Sequence, residues 1–389
     1  MKRIKQAAAG LFLLMAATET TWVAITCSPA NGSPRTDIVQ LSPPNISAGA
    51  DIPVGTVIYQ GRWYSGTTGS SVIDCRSPVD TWFWLNLAWG VESAPLGLSS
   101  WTGSPFGGAV YKTDIDGVGI AISRSNNGDA AILNRPNYVY ATDLHRQIAS
   151  GSYRPYMNDT TIYVSLIKIG TINPGSYTLN ASKLPAANIN VTNPLAHETT
   201  PGLPIKTNVV KFQGQMTVST QTCKTPDVNV DMGSYEKRQY FTGIDSTTPW
   251  VDASIVLTEC PAFHGFYNAA NSTLMFNYST GTGLVANSTG NSVGVRLTPS
   301  TSVIDYPRGI MSTDTSLPGS ALGVGIQLGW GSTSGNPALF DFATEKLFQL
   351  PKDGRTQIKI PLAARYIQTD LMVTPGTADG KVVFVINYY

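Results

Sequence analysis

The sequence predicts an all-β protein built as two immunoglobulin-like β-sandwich domains in tandem. Three observations carry that prediction. Glycine and proline are abundant, at 37 and 25 residues, and short β-branched and aromatic runs lie between turn residues. Four cysteines are spread so that each half holds two, Cys27 and Cys75 in the first, Cys223 and Cys260 in the second. The run Gly117-Val118-Gly119-Ile120-Ala121-Ile122 is echoed by Gly323-Val324-Gly325-Ile326-Gln327-Leu328. Two copies of a related sandwich account for the echo, and 389 residues leave room for both.

Composition narrows the function classes. Charged residues are 13% of the chain, and 26 Lys+Arg nearly balance 25 Asp+Glu. There is no basic excess to drive binding to nucleic acid or to an anionic membrane surface. Lys2, Arg3 and Lys5 followed by the apolar run 7–17 form a secretory signal peptide, too short to span a bilayer. Cleavage after Ala24 gives a signal at 1–24, and cleavage after Ala17 is the alternative. No later segment is apolar enough for membrane insertion. In an exported chain an even cysteine count implies disulfides. Three connectivities are open; local pairing gives each half one bridge worth ~4 kcal/mol in the chain-entropy model. His145, His197 and His264 are widely separated and no C-x-x-C exists, so no metal and no cofactor are expected. No histidine lies near a Ser or Cys in a nucleophile motif, and phosphate-loop and dinucleotide fingerprints are absent, so no catalytic residues and no enzyme are expected.

The elements follow in order. The first half, 25–218, carries a turn and strand at 51–59, a short strand into Cys75, and an aromatic strand at 82–89. Alternation groups Phe83, Leu85, Leu87 and Trp89 on one face, with Trp82 and Trp84 opposite. A Gly/Ser/Pro loop at 97–108 carries Trp101 and Phe106. Strands are expected at 117–124 and 162–169, and 143–149 is the best candidate for a short helix. A short polar stretch at 213–222 marks the boundary, and the second half, 219–389, opens at Cys223. Its strands are expected at 253–257, 275–278, 294–297, 323–328 and 357–366, a count that suits a sandwich. The chain then runs from Gly376 through a turn into Val382, Phe384, Ile386 and Tyr388 on one face of a last strand, with Val383, Val385 and Asn387 on the other. An unpaired apolar edge recruits other chains, so either another polypeptide pairs there or the strand is tucked inside a complete sheet.

Gly376, fourteenth from the end, the alternating apolar residues and the penultimate Tyr388 resemble the C-terminal signature of chaperone–usher fimbrial subunits. The second half resembles a fimbrial pilin domain through Cys223, Val228-Asn229-Val230-Asp231-Met232-Gly233, Leu257-Thr258-Glu259-Cys260 and Ile360-Pro361-Leu362-Ala363-Ala364-Arg365-Tyr366. The first half resembles the N-terminal receptor-binding domain of two-domain fimbrial tip adhesins, most like the type 3 fimbrial adhesin, through Ile52-Pro53-Val54-Gly55-Thr56-Val57-Ile58, the strand into Cys75 and Gly117-Val118-Gly119-Ile120. Residues 80–111 depart from that family, being longer and richer in tryptophan.

The resemblance implies a Cys223–Cys260 bridge and cleavage after Ala24, close to the first cysteine. It also implies that the C-terminal domain is an incomplete pilin sandwich lacking its last strand. A periplasmic chaperone lends that strand during export, and at the outer-membrane usher the next fimbrial subunit donates its own, by β-augmentation. Gly376, Val382, Phe384, Ile386 and Tyr388 would form the chaperone and donor-strand interface. Residues before Cys223 join another domain and leave no free donor, which implies a place at the fibre tip on the bacterial surface. Trp101, Phe106, Trp82 and Trp84 are the candidate receptor-binding residues, since aromatic faces stack on sugars and anchor protein interfaces. The receptor would be a host glycan or a matrix protein such as collagen. Core and loop packing is the alternative role for these aromatics, as turn chemistry is for Asp114, Asp116, Asn126, Asn127 and Asp129. A structural tip adaptor, or distantly a secreted carbohydrate-active enzyme, is the alternative function. The expectation is that 25–218 holds a complete core and binds receptor alone.

Overall fold

The structure, a computed structural model, describes residues 25–30, 32–67, 72–130, 138–148, 151–154, 159–316 and 318–389. The signal peptide expected at 1–24 lies outside the described residues. The first-half strands that position the sites are β1 (Val57–Tyr64), β2 (Thr81–Ser93), β3 (Val118–Ser123), β4 (Tyr138–Ile148), β5 (Thr161–Lys168), β6 (Ala186–Thr192) and β7 (Ile205–Gln213). Those beyond are β8 (Thr273–Asn277), β9 (Thr282–Leu284), β10 (Ser292–Pro299), β11 (Val324–Trp330), β12 (Leu362–Gln368) and β13 (Val382–Tyr388). Helix among the described residues is confined to single turns at Ala181–Lys183 and Lys237–Tyr240.

Two sheets face each other in the first half. One runs β9-β8-β1-β5-β3 with Tyr111–Lys112 at its far edge; the other runs β7-β6-β2-β4, with Arg35–Gln40 parallel to β7. Ile58, Trp63, Ile120, Val164 and Leu166 from the first sheet meet Trp89, Ile189 and Val210 from the second in one buried cluster. The strands that supply this cluster turn apolar side chains into the space between the two sheets. A smaller cluster around Phe83, Leu85 and Ile148 closes on the Cys27–Cys75 bridge. The second half wraps a separate cluster of Val293, Val295, Leu297, Ile326, Leu328 and Leu362 around the Cys223–Cys260 bridge.

The echo between halves is structural as well as sequential. Gly117 and Gly323 have φ of +77° and +78°, a left-handed conformation that costs a glycine little. Gly117 O accepts from the amides of Ile169 and Gly170, and Gly323 O from those of Thr369 and Asp370. Each glycine opens a buried strand, β3 or β11, paired antiparallel to β5 or β12.

Three sequence expectations are corrected. The helix expected at 143–149 is not formed: 143–148 is part of β4, and 149 lies outside the described residues. Leu144, Arg146 and Ile148 point inward while Asp143, His145 and Gln147 are exposed, a period of two set by pairing with β2. The stretch at 213–222, expected to be short and polar, holds the strand Gln215–Ser219, in which Met216 and Val218 are buried. The third concerns the halves themselves. β8, counted with the second sandwich, pairs parallel with β1 and extends the first-half sheet. Met275 and Tyr267 are buried in the first core, and Arg35 stacks its guanidinium 3.6 Å from the Tyr278 ring. The first half therefore does not hold a complete core within 25–218; an apolar face and a sheet edge there are covered by residues from beyond it.

Candidate strand-acceptor groove and aromatic face

β13 pairs antiparallel with β10 along its whole length, from Val382 opposite Pro299 to Tyr388 opposite Val293. Just past it, Tyr389 and Ser292 exchange both backbone hydrogen bonds, at 2.8 and 3.0 Å. Hydrogen-bonded and non-hydrogen-bonded pairs alternate in an antiparallel ladder. Asn387, Val385 and Val383 therefore bond to β10, while the N–H and C=O of Val382, Phe384, Ile386 and Tyr388 face the other edge. Pro299, which has no N–H to give, stands opposite Val382, where none is required. Among the described residues no strand pairs that outer edge.

The same even-numbered residues turn their side chains to the second core, where Val382, Phe384 and Ile386 are only partly buried. Val383 and Val385 point away and are 50% and 46% exposed. Beside the strand runs a groove of about 1550 Å³ whose floor is Ile255, Met311, Ile326 and Leu328. Val228 and Met232 pack along its opposite rim, in a segment that belongs to no sheet. The groove thus joins an apolar floor to a row of unpaired backbone groups, which is what an extended peptide needs in order to add as a strand.

The far end of β13 is closed. Tyr388 is buried; its hydroxyl accepts from the Cys223 amide at 3.1 Å, and burial raises its pKa. Gly376 lies at the other end of the groove, against the backbone of Gly319 and Ala321, where a Cβ would collide. That close approach explains a glycine at this place.

On the first half, Trp82 and Trp84 project from the outer face of β2, opposite Phe83 and Leu85, which enter the core. Trp84 lies across from His145 of β4, and their rings stack at 4.2 Å and 8°. His197, from the turn between β6 and β7, stacks on Trp84 at 3.8 Å and 3°. Trp82 covers His145 at 4.3 Å. The result is a four-ring column, His197–Trp84–His145–Trp82, ending in a tryptophan that is 54% exposed. His197 Nε2 lies 3.5 Å from the Asp143 carboxylate. Asp143 in turn donates its amide to Asn86 Oδ1 at 2.7 Å, at the break in the β2–β4 register. The histidines of this column escaped sequence reasoning, which weighed them only as metal ligands or catalysts.

Trp101 and Phe106 are not part of that face. Phe106 is 8% exposed and Trp101 packs on it with Val57, donating its indole N–H to Pro105 O at 3.0 Å. Gly55 and Gly103 sit against the Trp101 ring. This pair pins the loop. Trp89 is fully buried. Asp114 accepts from Asn180 at 2.7 Å, and the main-chain O of Asn126 accepts from Gln60 at 2.6 Å, so each ties its loop to a strand distant in sequence.

No curated protein matches the chain. Among solved structures it is similar to the CupB6 tip adhesin from Pseudomonas aeruginosa, at 16% identity and a TM-score of 0.33, over 94% of this chain and 95% of that one. It is similar to the receptor binding domain of the plasmid-born adhesin MrkD1P of Klebsiella pneumoniae, at 17% identity and a TM-score of 0.29, over 52% and 99%. The CsuC–CsuE chaperone-tip adhesion subunit pre-assembly complex of Acinetobacter baumannii is a third, at 11% identity and a TM-score of 0.25, over 93% and 100%. Residues 210–389, which hold the whole second core and the open edge of β13, match the family described as Fimbrial protein.

Proposed function

We propose that this chain is a fimbrial tip adhesin, with receptor binding in the first half and strand acceptance in the second. The observation that carries the reading is the edge of β13. It leaves main-chain donors and acceptors unpaired beside an apolar groove, within the segment that matches the Fimbrial protein family. A strand supplied by a periplasmic chaperone, and after the outer-membrane usher by the next subunit, fills the groove and completes the sandwich by donor-strand complementation. The protein then stands at the fimbrial tip on the cell surface, with 219–389 as its anchor.

For the first half, the exposed face of Trp82 at the end of the ring column is the receptor contact. A flat indole resting on the His145 ring offers area at low entropic cost to the apolar face of a sugar or to a protein chain. The test of the reading is whether the full chain takes up a synthetic extended peptide with apolar residues at alternate positions and gains thermal stability from it. A chain that took up such a peptide but bound no glycan or matrix protein would be a structural tip subunit.

A further inference from the structure

The first half of the chain reaches across and touches the open edge of β13. Tyr388 N–H donates to Asp51 Oδ2 at 2.8 Å, and Asp51 N–H donates to Tyr388 O at 3.0 Å. Both main-chain groups that Tyr388 turns to the outer edge are therefore already satisfied, in the manner of a ladder pair. A Cβ at Gly49 would fall on Tyr388 O, so only glycine lets the loop lie this close. The loop is held from both halves. Lys168, almost wholly buried, donates to Ala50 O at 2.5 Å, and Ala48 N–H donates to Ser219 O at 2.8 Å. From the other side, Asn291 Nδ2 donates to Ser47 O at 3.0 Å and to Tyr389 O at 3.3 Å.

We propose that Gly49 and Asp51 of the first half are a stop that sets the length and register of the strand accepted by the groove. This rests on the strand-acceptor reading and deepens it. Three residues of β13, Val382, Phe384 and Ile386, remain open, and each offers one N–H and one C=O. At ~3.4 Å per residue the open edge is about 17 Å long. The partner is a short extended segment whose alternate apolar side chains enter the groove beside those three residues. A residue carried past Ile386 meets the Gly49–Asp51 loop and finds no free main-chain group. An isolated fimbrial domain without the first half would lack this stop.

The experiment uses the full chain and two synthetic peptides. The first is an alternating apolar segment matched to 382–386; the second is the same segment with two residues added at the end beside Ile386, that end being identified from the β13 amides the peptide protects. Fluorescence anisotropy gives affinity, and hydrogen exchange gives amide protection. In the free chain the Tyr388 amide should exchange at least tenfold more slowly than that of Ile386. The added residues should improve Kd less than twofold in the native chain, at least tenfold in Gly49→Val, which displaces the loop, and about threefold in the exposed-site variant Asp51→Ala. A tenfold gain from the longer peptide in the native chain, or equal exchange at Tyr388 and Ile386, overturns the proposal. If neither peptide binds, the strand-acceptor reading falls and the register proposal with it, while exchange at Tyr388 still reports whether Asp51 holds that end in solution.

Discussion

Made on its own, the segment 25–218 should lose stability that the whole chain draws from β8. Without that strand, β1 becomes an unprotected sheet edge, and the first core loses Met275 and Tyr267. Burying each of those side chains contributes roughly 2–3 kcal/mol. The ladder to Gly61, Arg62, Trp63 and Tyr64 adds about 1 kcal/mol per bond. The sum, about 5 kcal/mol or more, rivals the whole stability of a typical domain. At 2–4 °C per kcal/mol for a segment of this size, Tm should fall by about 10 °C or more, and the bare edge should promote association. The repair is local. Ala48 N–H donates to Ser219 O and Ser47 N–H to Gly265 O, so these two points of the chain lie side by side. Phe266 and Thr289 close the loop that carries the β8–β9 hairpin, exchanging bonds at 3.0 and 2.9 Å. Joining 266–290 to 25–218 through a short flexible linker should therefore restore the monomer and most of the lost Tm. Calorimetry and size-exclusion chromatography of both versions decide the matter. A bare 25–218 that is monomeric and melts within about 2 °C of the repaired version would refute the shared-sheet account.

Two further predictions concern the first half. Trp82→Ala should weaken receptor binding at least tenfold while leaving Tm within ~2 °C, because the ring is 54% exposed and lies outside the buried clusters; an unchanged affinity on a glycan or matrix-protein array would remove it from the contact. Asp74, in the strand into Cys75, accepts from Arg76 and Arg154, which lower its pKa from 3.8 to about 2. The depressed carboxylate pKa means that its stabilisation is present above pH ~4 and is lost as pH falls through about 2. Screening by water at the exposed arginines limits it to about 1 kcal/mol. Asp74→Asn should lower stability at pH 7 and flatten the acid limb between pH 4 and 2 in urea titrations.

Local periodicity made much of this legible. Val382, Phe384, Ile386 and Tyr388 alternate with residues that do face outward, and the Trp82/Phe83/Trp84/Leu85 alternation assigned each ring to its correct side. The Gly117 and Gly323 runs announced the repeat because each needs a left-handed glycine before a buried strand. The misses have a common cause in distance along the chain. Leu144 and Ile148 suit one helical face as well as one strand face. Arg146, which points inward to give its Nε–H to the Tyr153 hydroxyl at 3.1 Å, hides the period of two. Nothing near Thr273 signals that its strand pairs with Gly61. The bonds from Asp51 to Tyr388 join residues 337 apart, and the Trp84 column gathers three separate segments.

The central claim is that the second half is a sandwich waiting for a strand. Thermal unfolding of the full chain, with and without the alternating apolar peptide, tests it most directly when run beside Phe384→Asp. A ligand at a hundred times its Kd stabilises the folded state by about 2.7 kcal/mol, so Tm should rise by roughly 5–10 °C in the native chain and scarcely move in Phe384→Asp, whose charge sits on the groove wall. A native chain whose Tm is indifferent to the peptide would contradict the account.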